Sequence, residues 1–70
     1  MAVLNTIELE GVSSVGWRDA AHEALREAGK TLRNIRRMDV LSTSATVGDD
    51  AAITEYRAQV RLVFEVEPAS

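Results

Sequence analysis

Along Ile53–Val66 the side chains separate into two sets at a spacing of two. Tyr56, Ala58, Val60, Leu62, Phe64 and Val66 form one set. Glu55, Arg57, Gln59, Arg61, Val63 and Glu65 form the other, which is charged or polar at every position but Val63. A strand with this alternation turns one face to a core and keeps one largely polar face. It is long beside the usual ~5–6 residues, so it is expected at the centre of a sheet or reaching beyond its own domain. Ala2–Glu10 alternates more loosely, with Val3, Ile7 and Leu9 opposite Leu4, Thr6, Glu8 and Glu10. It predicts a first strand ended by Gly11, after which Ser13 or Ser14 can cap the free amides of a helix start. From Trp17 onward, Ala20, Ala21, Ala24, Leu25, Ala28 and Leu32 continue one apolar stripe at helical spacing, with Arg18, Asp19, His22, Glu23, Arg26, Glu27 and Lys30 opposite. The alanines allow close approach to a sheet, and Trp17 is expected to fill core space at one end. Gly29 weakens the last turn.

Ile35–Val47 is rich in β-branched and hydroxyl residues, lacks proline and predicts a second long strand of weak alternation. Gly48-Asp49-Asp50 supplies turn chemistry before Ile53, so the two long strands form a hairpin. Pro68 and the two residues after it are expected to close the sheet and fray. The order is β-α-β-β. A right-handed strand-helix-strand crossover followed by a hairpin places the third strand between the first two. The predicted fold class is therefore α+β, a single domain over residues 1–70 whose three-stranded antiparallel sheet, order 1-3-2, wraps around one helix. No second helix covers the face carrying Arg57, Gln59 and Arg61, which points to assembly.

Composition sharpens that point. A chain of 70 residues buries only about 60% of its unfolded surface, a marginal core. There are no cysteines to add disulfides, and the single His22 has no second histidine with which to build a transition-metal site. Oligomerisation remains as the means of support. The apolar fraction of 46% argues against disorder. A net charge of −3 gives no general drive toward nucleic acid or anionic membrane. No apolar run approaches the roughly 20 residues that span a bilayer, and MAVLNTIELE lacks the features of a secretory signal. A cytoplasmic protein is expected.

Candidate chemistry is sparse. No serine has a plausible base, and His22 falls on the polar side of the helix, so an enzyme is not expected. Asp49 and Asp50 are too few for a hard cation on their own and read first as turn residues. Arg33, Arg36 and Arg37 could grip a phosphate or pair with carboxylates across subunits. The four glycines are too scattered for a dinucleotide loop.

The run GVSSVGWRDAAHEALREAGKTLRNIRRMDVLSTSATV followed by ITEYRAQVRLVFEVE resembles the dodecin family over nearly the whole chain. Its most specific pieces are Gly11–Ser14, Lys30–Asn34 and Ile53–Arg57 leading to Val63-Phe64. The resemblance implies a hollow homododecamer that binds or stores small molecules without catalysis, and in many members these are flavins such as FMN and riboflavin. In such members tryptophans of symmetry-related subunits stack the flavin rings and a glutamine reads the ring edge. Here the tryptophan position falls at Arg37 and the glutamine position at Arg57. Arginine can lie flat on a ring but has only donors. The chain thus looks closer to members lacking the tryptophan, such as the calcium dodecin type. Expected ligand-binding residues are Arg37, Met38 and Arg57, for a flavin-type molecule or a phosphate-bearing one such as a nucleotide or coenzyme A. The alternative is a structural or cation-binding dodecamer in which the arginines form salt bridges.

Overall fold

In the computed structural model, which describes residues 2–66, the elements follow in the order β1 (Val3–Ser13), α1 (Trp17–Ala28), β2 (Ile35–Val47) and β3 (Ile53–Val66). β3 lies between β1 and β2 and is antiparallel to both. The outer strands therefore run parallel to each other, as a crossover through a helix requires. Architecture, sheet order and the limits of the two long strands match the expectation. The one concerning Pro68 lies outside the described residues.

The first strand and the helix start need correction. β1 continues past Gly11 to Ser13, pairing Gly11 with Ala58 and Ser13 with Tyr56. Gly11 does not stop the strand; it lets the helix backbone sit directly on it, since a Cβ there would lie 1.8 Å from the Ala20 carbonyl oxygen. The N-cap is Gly16, not Ser13 or Ser14, and no side chain caps the helix. Ser13 is still committed to the strand. Its buried hydroxyl accepts from the Val15 amide at 2.9 Å and donates to Asp19 Oδ2 at 2.6 Å, so it secures the corner from behind. At the other end α1 stops at Ala28, and amides of Thr31 and Leu32 close on the Ala28 carbonyl. Leu32 thereby stays packed against the core although it is outside the helix.

Ala20, Ala21, Ala24 and Ala28 meet Ala58, Val60 and Leu62 in the buried cluster, so the helix stripe lands on the apolar face of β3. α1 lies over β1 and β3 and reaches β2 only at its margin. That leaves Val40, Leu41 and Val47 on β2 exposed at 53%, 40% and 60%. The weak alternation of β2 has a cause in its register shifts near Ile35/Arg37, Val40/Ser42 and Thr46/Val47, where extra residues change the phase of the side chains. Val63, the apolar member of the polar set, is buried on that face between Thr6 and Arg37. Trp17 is not a core residue as expected. It remains 43% exposed, standing edge-on to Tyr56 at 4.9 Å and donating from Nε1 to the Ser44 carbonyl at 2.8 Å. The small alanines bring α1 so near the sheet that no space for an indole remains between them.

Candidate functional site

Because successive strand residues face opposite ways, Arg37 and Arg57 share the polar face while Met38 points to the helix side. Arg37 lies beside Val63, and Arg57 six positions away along β3, so at ~3.3 Å per residue the two are about 20 Å apart. One chain does not bring the three expected ligand residues into one pocket. Met38 instead lines a groove with Trp17, Arg18, His22 and Val40 at the margin of α1 and β2.

The two arginines also differ in what they already hold. Arg57 Nη1 donates to Glu10 Oε2 at 3.0 Å, Nη2 to Glu55 Oε1 at 2.9 Å and Nε to Thr46 Oγ1 at 2.9 Å. It therefore ties β1, β2 and β3 together, with two carboxylates beside its charge. Arg37 Nε donates to Asp39 Oδ1 at 3.2 Å, and its side chain is 61% exposed. Among the described residues no acceptor meets its terminal nitrogens. The sequence reading missed Glu10, Thr46 and Asp39 as arginine partners. Arg37-x-Asp39 and Glu55-x-Arg57 could have been read as same-face neighbours, but Glu10 and Thr46 become neighbours of Arg57 only through strand register.

Further ion pairs continue this face, Arg61 with Glu8 at 3.9 Å and Arg36 with Glu65 at 3.2 Å. On the helix, Arg26 pairs with Glu23 and Lys30 with Glu27, each three positions apart. His22 is exposed on the helix. Asp50 accepts from the Ala52 amide in the hairpin turn, and among the described residues no group of three or more metal-ligating side chains converges. Nor is any described helix long and apolar enough to cross a membrane.

Such a β-α-β-β subunit, with its helix on half the sheet and charged pairs on the far face, defines a class of small single-sheet α+β proteins. The dodecin family model matches residues 3–67, and the chain belongs to the dodecin family. It is 32% identical over 69 residues to calcium dodecin of Mycobacterium tuberculosis, covering 99% of this chain and 96% of that one. It is 34% identical over 65 residues to dodecin of Thermus thermophilus, covering 93% of each. A crystal structure from Thermus thermophilus superposes with a TM-score of 0.91 at 30% identity, over 99% of this chain and 100% of that one. The structure of calcium dodecin, which is described as calcium-chelating with a novel calcium-binding site, superposes with a TM-score of 0.81 at 28% identity, over 97% and 96% of the chains.

Proposed function

We propose that the chain assembles into a hollow homododecamer that binds or stores a phosphate-bearing small molecule, a nucleotide such as FMN or coenzyme A, without catalysis. The observation that carries this reading is the state of Arg37, an exposed guanidinium whose terminal nitrogens have no acceptor among the described residues. A fork of this kind suits a phosphate in two-point geometry. Met38 is the adjoining residue and supplies apolar, adaptable surface on the other side of β2. Because the two point to opposite faces, a shared ligand pocket requires a second copy at the junction. Arg57 joins such a pocket only from another subunit, and each of its three nitrogens already donates within the subunit.

A stacked flavin pair is less well supported. The side chain at position 37 supplies no aromatic face, and Arg57 has no acceptor with which to read a ring edge. Riboflavin and FMN differ by the phosphate alone, which makes them a direct test. Native mass spectrometry of the protein with riboflavin, FMN and coenzyme A is expected to give a twelve-subunit mass that retains FMN or coenzyme A. Arg37→Ala should lose that ligand with the mass of the shell intact. Equal retention of riboflavin and FMN would remove the phosphate from the argument and restore the stacked flavin.

The engaged state of Arg57 favours a second reading, a structural or cation-binding dodecamer with no flavin site. The similarity to calcium dodecin lends it weight. Here the shell would retain none of the three ligands, while calorimetric titration with calcium would register binding. Arg57→Ala would then loosen the subunit or its assembly and leave ligand retention unaffected.

A further inference from the structure

On the helix side of the sheet, away from Arg37 and Arg57, a groove opens between α1 and β2. It exists because α1 rests over β1 and β3 and meets β2 only at its margin. Its strand wall is Met38, Val40 and Thr43, which pair with Leu62, Val60 and Ala58 and so stand on the helix face. The step of three from Val40 to Thr43 comes from the register shift between Val40 and Ser42, which turns Ser42 to the polar face beside Gln59. Trp17 and Ala21 supply the apolar part of the helix wall. The groove measures about 310 Å³, at the small end of the roughly 300–1,000 Å³ typical of ligand pockets, which suits a molecule of one or two rings.

Two features give this groove a chemical preference. Trp17 is partly exposed yet held from two sides, by its Nε1 bond to the Ser44 carbonyl and by the ring of Tyr56. An aromatic surface fixed in advance loses little freedom when a ligand ring packs on it, and the Met38 thioether takes aromatic neighbours well. The second feature is charge. Arg18 and His22, one helical turn apart, line the groove as well, and neither has a hydrogen-bond or ion-pair partner among the described residues. The carboxylates next to them in the chain are engaged elsewhere, Asp19 with Ser13 and Glu23 with Arg26. Among the described residues no carboxylate lines the groove.

We propose that the groove between α1 and β2 is a second ligand site, which takes a small aromatic carboxylate. The ring packs between Trp17, Met38 and Val40, and the carboxylate meets the guanidinium fork of Arg18, whose planar donors suit it in two-point geometry. His22 supplies a further ring N–H donor on the same wall. The site lies on the opposite face of β2 from Arg37 and is complete within one chain. It therefore goes beyond the phosphate-bearing ligand proposed above and does not depend on that reading.

Trp17 is the sole tryptophan of the chain, so its fluorescence reports on this groove directly. The full-length protein, in whatever assembly it adopts, would be titrated with 3-phenylpropanoate and with its neutral counterpart 3-phenylpropanamide, and calorimetry would follow the same additions. A saturable change in Trp17 emission is expected with the acid, at a concentration at least about tenfold lower than with the amide, as loss of a charge-assisted pair implies. Arg18→Ala alters an exposed side chain without partners and should abolish the preference for the acid while leaving the amide's binding unchanged. Arg37→Ala should leave both titrations as in the wild type, which keeps this site separate from the phosphate site. An emission that does not respond to the acid up to millimolar concentration would overturn the proposal, as would heat of binding without a Trp17 response. Equal binding of acid and amide by the wild type, or an Arg18→Ala variant that keeps the preference, would do the same.

Discussion

Gly11 and Ala51 show how single positions carry the fold in opposite ways. At Gly11 the absence of a Cβ permits α1 to rest its Ala20 carbonyl on the strand. Gly11→Ala must push the helix away, and with a contact against backbone instead of a flexible side chain the cost should reach about 3 kcal/mol, the upper part of the overpacking range. Urea unfolding measures it, and a loss below about 1 kcal/mol would mean that the helix yields easily. Ala51 has φ of 62°, a left-handed conformation that an alanine adopts at a cost of roughly 1–2 kcal/mol. Ala51→Gly removes that strain but adds unfolded-chain entropy, so a net gain of about 0.5–1 kcal/mol is expected in the same experiment. No loss of stability should accompany it, because the backbone bonds of the turn, from the Gly48 amide to the Ala52 carbonyl at 2.8 Å and from the Ala51 amide to the Gly48 carbonyl at 2.9 Å, do not involve the Ala51 side chain. Asn34, at φ 61°, needs no such repair, since asparagine tolerates this region.

At the scale of elements, what could be read ahead of the structure depended on whether the deciding contact was local. Ile53–Val66 announces itself because each strand face has its own chemistry, and the helix because its alanines recur at the right spacing. The weak alternation of Ile35–Val47 was visible, but its register shifts are set by pairing with β3 and leave no local sign. Gly11 looked like a strand end by ordinary turn logic, whereas its role is fixed by a helix that returns over it. Trp17 followed the stripe, yet the close helix-to-sheet spacing excluded it from the core. The site divides in the same way. Arg37 and Arg57 were identifiable as same-face arginines, but that Arg57 clamps three strands depends on Glu10 and Thr46, remote in sequence. Arg57→Ala should therefore lower stability by roughly 1–2 kcal/mol, a value kept small because the side chain is 34% exposed and its pairs are partly screened by solvent. At 1 M salt, where the Debye length falls to about 3 Å, the difference from the wild type should shrink. A loss that stays the same in salt would assign the effect to packing of the arginine stem instead of its charge.

The whole molecule is elongated, with a helix that covers β1 and β3 and leaves much of β2 open. Its fully buried large side chains are Leu62, Val60 and Val63 among the described residues, a small core for an isolated domain. At the same time Val40, Leu41, Val47 and Ile53 stand exposed along β2 and the hairpin. Burying such side chains fully contributes about 1.5–3 kcal/mol each, so contact with other copies would contribute on the scale of the whole stability of a domain. Folding and assembly should then be one equilibrium, and the thermal midpoint should depend on protein concentration. A tenfold dilution of a large oligomer removes close to RT ln 10, about 1.4 kcal/mol per chain, which for a domain of this size lowers Tm by roughly 5–10 °C. Scanning calorimetry over a hundredfold range of concentration, at a single scan rate with refolding checked, measures this slope. A midpoint indifferent to dilution would show that α1 and β3 alone suffice for stability, and the exposed surface of β2 would then need a reason other than support of the fold.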